Sequence, residues 1–108
     1  MRAASTAATV ALALALAGCG GGSSGPRRHV HLTPFERRGK ALFISTCGAC
    51  HTLADAGTGG AAGPALDSPW RASRVKETIA DGPGGMPAGL LSGTEADEVA
   101  AYVAAATK

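Results

Sequence analysis

Aromatic side chains are scarce in this chain of 108 residues, which has one Trp, one Tyr and two Phe, 4% of the total. A nucleic-acid surface normally interleaves aromatics with a basic face, and no such face is present. A net charge of +2 is also too small to attract a polyanion. Nucleic acid is therefore not an expected partner. Runs of β-branched residues are equally rare, and the 45% apolar content is carried largely by Ala, so sheets are not expected. Long hydrophobic stretches are missing too. The longest, residues 7–17, is eleven residues broken only by Thr9, against the roughly 20 that a spanning helix needs. What remains is room for one small helical domain.

The short apolar run has a use. It follows Arg2 and a polar stretch, and reads as the core of a secretory signal, although one Arg makes a thin basic start. Leu16-Ala17-Gly18-Cys19 comes next and resembles the lipobox of bacterial lipoproteins. That resemblance implies a lipid on Cys19, with residues 1–18 removed. An ordinary signal peptide with an incidental Cys is the alternative. Gly20-Gly21-Gly22-Ser23-Ser24-Gly25 suits a tether between lipid and domain. The expected division is signal peptide at 1–18, lipidated Cys and flexible linker at 19–32, and folded domain at 33–108. The linker would average about 20 Å end to end. Arg27, Arg28, His29 and His31 lie in it, as a solvated run or near anionic headgroups. Loss of Arg2 leaves the exported chain close to neutral, so no strong electrostatic steering is expected.

Within the domain, Thr33, Pro34 and Glu36 form a helix-start signature: N-cap, first-turn proline and the third-position acid of a capping box. Phe35, Gly39, Leu42, Phe43 and Thr46 then share one face, and the helix is predicted to run into residues 47–51. A glycine-rich loop covers residues 54–66, and the part at 54–62 has no derivable role. Ser68-Pro69 predicts the start of a second helix, with Val75 and Ile79 on its apolar side and Gly82 as its stop. A second glycine-rich loop at 81–89 holds Met86-Pro87. The last helix is predicted from Ser92 or Thr94, with Val99, Tyr102, Val103 and Ala106 as its stripe.

The chemically informative segment is Cys47-Gly48-Ala49-Cys50-His51. Two thiols spaced by two residues at a helix end suit thioether bonds to two haem vinyl groups, with the next imidazole facing the iron. Three other readings compete. A thioredoxin-like pair wants a βαβ setting. A structural zinc site wants four ligands, and the domain musters Cys47, Cys50, His51 and at best a linker His. A disulfide between Cys47 and Cys50 leaves His51 and the glycine loops unexplained. If a haem is held here, Met86 is the expected second axial ligand by elimination, because Met1 departs with the signal. A thioether suits haem iron and raises its potential. The glycines and prolines around Met86 describe a loop that approaches a ligand closely, rather than a core helix. His29 or His31 is the alternative ligand, at the entropic cost of ordering the tether. Trp70, Arg71, Arg74 and Lys76 are candidates to bond the haem propionates.

These elements together resemble the class I cytochromes c of the short bacterial kind. Gly39-Lys40-Ala41-Leu42-Phe43 is similar to that family's first helix, Gly63-Pro64-Ala65-Leu66 to its proximal loop, and Gly85-Met86-Pro87 to its distal loop. Val99, Ala101, Tyr102 and Val103 are similar to its last helix. The similarity spans residues 33–106. It implies an all-α cytochrome c fold, three to five helices wrapped around one covalently bound haem c. It further implies that Pro64 accepts a hydrogen bond from His51, and that the last helix crosses the first at a glycine. The expected function is single-electron transfer between redox protein partners by a monomer anchored to a membrane outside the cytoplasm. The alternatives are a haem-bearing subunit docked to a dehydrogenase or oxidase, and an enzyme with a labile Met86, for which no distal acid–base group is evident.

Overall fold

The structure is a computed structural model that describes residues 30–108. Residues 1–29, including the expected signal peptide, Cys19 and His29, lie outside the described residues. The described part contains three α-helices and one minimal β-ladder: α1 (Pro34–Leu42), β1 (Thr52–Leu53), β2 (Thr58–Gly59), α2 (Ala72–Asp81) and α3 (Gly93–Ala106). It is mainly helical, as the composition implied. The ladder was not expected.

The start of α1 follows its sequence signature. The Thr33 hydroxyl accepts from the Glu36 N–H at 3.2 Å, and the Glu36 carboxylate accepts from the Thr33 N–H at 2.7 Å. Pro34 occupies the first turn, where its missing N–H costs nothing. The packed region begins earlier than residue 33. Leu32 is buried and Val30 packs on the same cluster, while Arg37 donates to the Leu32 carbonyl at 2.9 Å. At its other end α1 does not continue as a plain α-helix. Residues Phe43–Cys47 widen into a π-helical turn, closed by the Gly48 N–H on the Phe43 carbonyl at 2.9 Å. Such widened turns interrupt the α-helical ladder and often sit at functional positions.

The helices α1 and α3 cross at Gly39. A Cβ there would overlap the Glu98 backbone carbonyl and lie 2.9 Å from the Tyr102 Cβ, so only glycine permits this approach. Around the crossing, Phe43 and Tyr102 meet edge to face with ring centroids 5.9 Å apart. Val99, Val103, Ile79, Leu53 and Leu32 complete the buried cluster. Phe35 was expected on this apolar face and is instead 36% exposed. It precedes the crossing by one turn, and the Arg38 guanidinium stands over its ring at 5.8 Å. Arg38 also donates to the buried Glu98 carboxylate at 3.0 Å.

The start of α2 is later than Ser68-Pro69 indicated. Residues 68–71 stay outside the helix, where the Trp70 N–H donates to the Thr107 hydroxyl at 3.0 Å and ties this segment to the end of α3. Gly82 ends α2 in the left-handed region, φ 56°, as a glycine cap should. The last helix, α3, starts at Gly93 with Ser92 as N-cap, and buries Val99, Tyr102 and Val103 along its stripe.

Candidate haem site

The widened end of α1 delivers the Cys47–His51 segment as a tight turn. The N–H groups of Cys50 and His51 both donate to the Cys47 carbonyl, at 3.1 and 3.0 Å. Cys47 and Cys50 are not joined in a disulfide. Burial pushes the Cys47 thiol above its ordinary value, and the neighbouring Cys50 adds to the effect. That is the behaviour of a thiol inside an apolar wall, not of an activated redox nucleophile. Among the described residues, no three His, Cys, Asp or Glu side chains gather as a zinc site would require.

The His51 ring has a defined orientation. Its Nδ1 lies 2.8 Å from the Pro64 carbonyl oxygen. A carbonyl oxygen only accepts, so Nδ1 carries the proton and Nε2 keeps its lone pair for a ligand. The Pro64 loop is held in turn by the Gly63 N–H on the Cys50 carbonyl, 2.7 Å, and the Leu66 N–H on the Thr52 carbonyl, 2.8 Å. Gly63 leaves space for the imidazole: a Cβ there would lie 2.5 Å from its Cε1 and 3.0 Å from its Nε2.

A cavity of about 680 Å³ opens beside this turn. Cys47, Cys50 and His51 line it, together with Pro64 from the proximal loop and Met86 from the loop after α2. Most of the remaining wall is apolar, with Val75 and Ile79 from α2 and Val99 and Val103 from α3. The Met86 loop is folded back by the Gly89 N–H on the Ile79 carbonyl at 2.8 Å, and tightened by the Met86 N–H on the Pro83 carbonyl at 3.2 Å. One helix end and one distant loop thus present two thiols, an imidazole and a thioether to one space.

The four propionate candidates separate. Trp70 and Arg74 line the cavity; Arg71 and Lys76 do not. Lys76 is engaged with Asp97 at 2.6 Å, and Arg74 with Glu77 at 3.0 Å. The Trp70 indole N–H is the one buried side-chain polar atom without a partner among the described residues. A buried donor left unpaired is costly, so this one calls for an acceptor that the protein alone does not supply. His31 is exposed and does not line the cavity.

Residues 34–103 match the family described as cytochrome c oxidase, cbb3-type, subunit III. The chain belongs to this family of class I c-type cytochromes. It is also similar to a solved crystal structure, the c-type cytochrome SorU from Sinorhizobium meliloti, at 38% identity and a TM-score of 0.61. That match covers 68% of this chain and 91% of the SorU chain. No curated protein sequence matches.

The cytochrome therefore carries haem c, covalently bound and with iron as its metal, and its size is consistent with a single haem. Its own residues fit that group: apolar walls, two thiols beside an imidazole, a thioether, and an indole donor in need of an acceptor. The sequence reading missed the loop at 54–62. The structure folds it into the β1–β2 ladder, whose Thr58 hydroxyl donates to the His51 carbonyl at 2.9 Å. The only advance signal was a pair of threonines, Thr52 and Thr58, flanking a turn glycine, Gly57, which is weak evidence for a hairpin.

Proposed function

We propose that the cytochrome is a one-electron carrier whose haem is attached through Cys47 and Cys50 and ligated by His51 and Met86. The observation that carries this reading is the shared cavity wall of these four side chains, together with the Nδ1–Pro64 hydrogen bond that leaves the His51 Nε2 available. Pro64 fixes the tautomer and makes the imidazole a stronger donor. Met86 would add a soft thioether ligand to the iron, which favours the reduced state. Trp70 supplies a propionate hydrogen bond through its unpaired indole N–H. Bound in this cavity, haem c supplies an iron that accepts and returns one electron. The protein's part would be to supply the His51 imidazole and the Met86 thioether to that iron and to keep water and substrates away from it.

The lipobox-like Leu16-Ala17-Gly18-Cys19 and its Gly/Ser tether support export, lipid attachment at Cys19 and electron exchange with redox proteins at a membrane surface. Among the described residues no helix is long and apolar enough to cross a membrane. The family description supports a second reading, in which this domain serves as the haem-bearing part of a larger oxidase. Gentle detergent extraction followed by sizing separates the two, since a carrier runs as a small monomer and a subunit elutes with its complex.

The test of the carrier reading is the absorption spectrum of the reduced holoprotein with and without carbon monoxide. A carrier with both positions occupied shows no change. A rapid spectral shift would mark an open site and favour an enzyme with a labile Met86.

A further inference from the structure

The β1–β2 hairpin lines none of the haem cavity, yet its polar groups converge on the segment that carries His51. The His51 N–H is held by the Cys47 carbonyl at 3.0 Å. Its carbonyl is held by the Thr58 hydroxyl at 2.9 Å, and the same hydroxyl accepts from the Leu53 N–H at 3.1 Å. Both peptide planes flanking the His51 Cα are therefore restrained, which fixes the direction of its Cβ. Only the side-chain torsions remain, and the Pro64 carbonyl sets those.

The hairpin is itself anchored at both ends. At its base, Gly60 packs on the backbone of Ala49 and Cys50, where a Cβ would come within 2.6 Å, and the Thr52 hydroxyl donates to the Gly60 carbonyl at 3.0 Å. At its tip, the Asp55 carboxylate accepts from the Tyr102 hydroxyl at 2.6 Å and pairs with Lys40 at 3.3 Å. Buried Tyr102 belongs to α3 and Lys40 to α1. Polar contacts thus tie the hairpin to the helix pair at its tip and to the backbone of His51 at Thr58.

We propose that Thr58 is a positioning residue for the His51 imidazole: its hydroxyl holds the His51 carbonyl so that Nδ1–H stays on Pro64 and the ring stays seated against Gly63. The proposal rests on His51 being an iron ligand. Its consequence is electronic as well as mechanical. A well-aligned Nδ1–H···O bond makes the imidazole a better donor to the oxidised iron, and a looser one raises the reduction potential.

Thr58→Val keeps the shape and removes the hydroxyl, and Thr58→Ser keeps the hydroxyl. The readouts on holoprotein are the reduction potential, the paramagnetically shifted His51 ring protons of the oxidised state, and the melting temperature. Thr58→Val is expected to raise the potential by about threefold in the oxidised-to-reduced equilibrium, about 30 mV at 59 mV per tenfold. It should also shift the His51 ring signals, with Thr58→Ser restoring both. A Thr58→Val protein that melts earlier with potential and ring signals unchanged would overturn the proposal and leave Thr58 a merely structural residue. If Thr58→Val yields no holoprotein, Asp55→Ala releases the hairpin tip instead; a smaller shift in the same direction supports the proposal, and no shift overturns it. Ring protons of His51 that are unshifted in the wild type would overturn the ligand assignment itself, and this proposal with it.

Discussion

At the scale of single residues, Met86 and Gly39 carry the sharpest expectations. Met86→Ala should retain the haem, because the thioether bonds come from other residues, but lower the potential by on the order of 0.1 V within the roughly 0.8 V that axial ligands span. Redox titration and imidazole binding measure this, and an unchanged potential would remove Met86 from the iron. Gly39→Leu should destabilise by about 1–3 kcal/mol or more, since the helices must part to admit any side chain. The obstacle is the Glu98 backbone carbonyl, which cannot rotate away. The neighbouring Ala41 is exposed, and Ala41→Leu should be nearly neutral in the same thermal melt. Such residues were legible in the sequence because each is an exception: a lone methionine in a loop, and a glycine on an apolar helical face. Phe35 shows the limit of that reasoning. Spacing put it on the face of Gly39 and Phe43, but spacing does not say where along the helix the crossing falls.

At the scale of elements, capping chemistry was readable and long-range ties were not. Thr33, Pro34 and Glu36 determine the start of α1 among themselves, and Gly82 determines the end of α2. Just ahead of α2, Trp70 reaches Thr107, 37 residues away, which no local pattern encodes. The hairpin was equally hidden, because two strands of two residues are too short to show an alternation. Its tip makes a test. Tyr102→Phe removes the hydrogen bond to Asp55 and should cost about 1–3 kcal/mol in denaturant melts. The same contact gives stability a pH dependence. Burial, and then the Asp55 carboxylate, push the Tyr102 phenol well above its ordinary 10.0. The raised group favours the folded state below that pH, where the unfolded phenol is also protonated. Above it the unfolded chain ionises while the folded one does not, so this contribution declines as pH rises. Wild-type stability should therefore fall more steeply above pH 10.0 than that of Tyr102→Phe.

At the scale of the whole molecule, the proposed haem site adjoins the core. So short a chain buries limited surface of its own, and apolar residues of α2 and α3 that pack on one another also line a cavity of about 680 Å³. A Cys47→Ala, Cys50→Ala double variant should lose the haem and most of its helical circular dichroism. Retained helicity without haem would contradict this account of the core. On the proposed assignment of lipid to Cys19 and haem to Cys47 and Cys50, Cys19→Ser should release the protein from membrane pellets with its visible spectrum unchanged. The central claim is that His51 and Met86 face each other across one iron. The most direct measurement is the near-infrared spectrum of the oxidised protein, where a sulfur-to-iron charge-transfer band reports thioether ligation. The band should be present in the wild type and absent in Met86→Ala. A wild-type protein without the band, or a Met86→Ala protein that keeps it, would contradict the account.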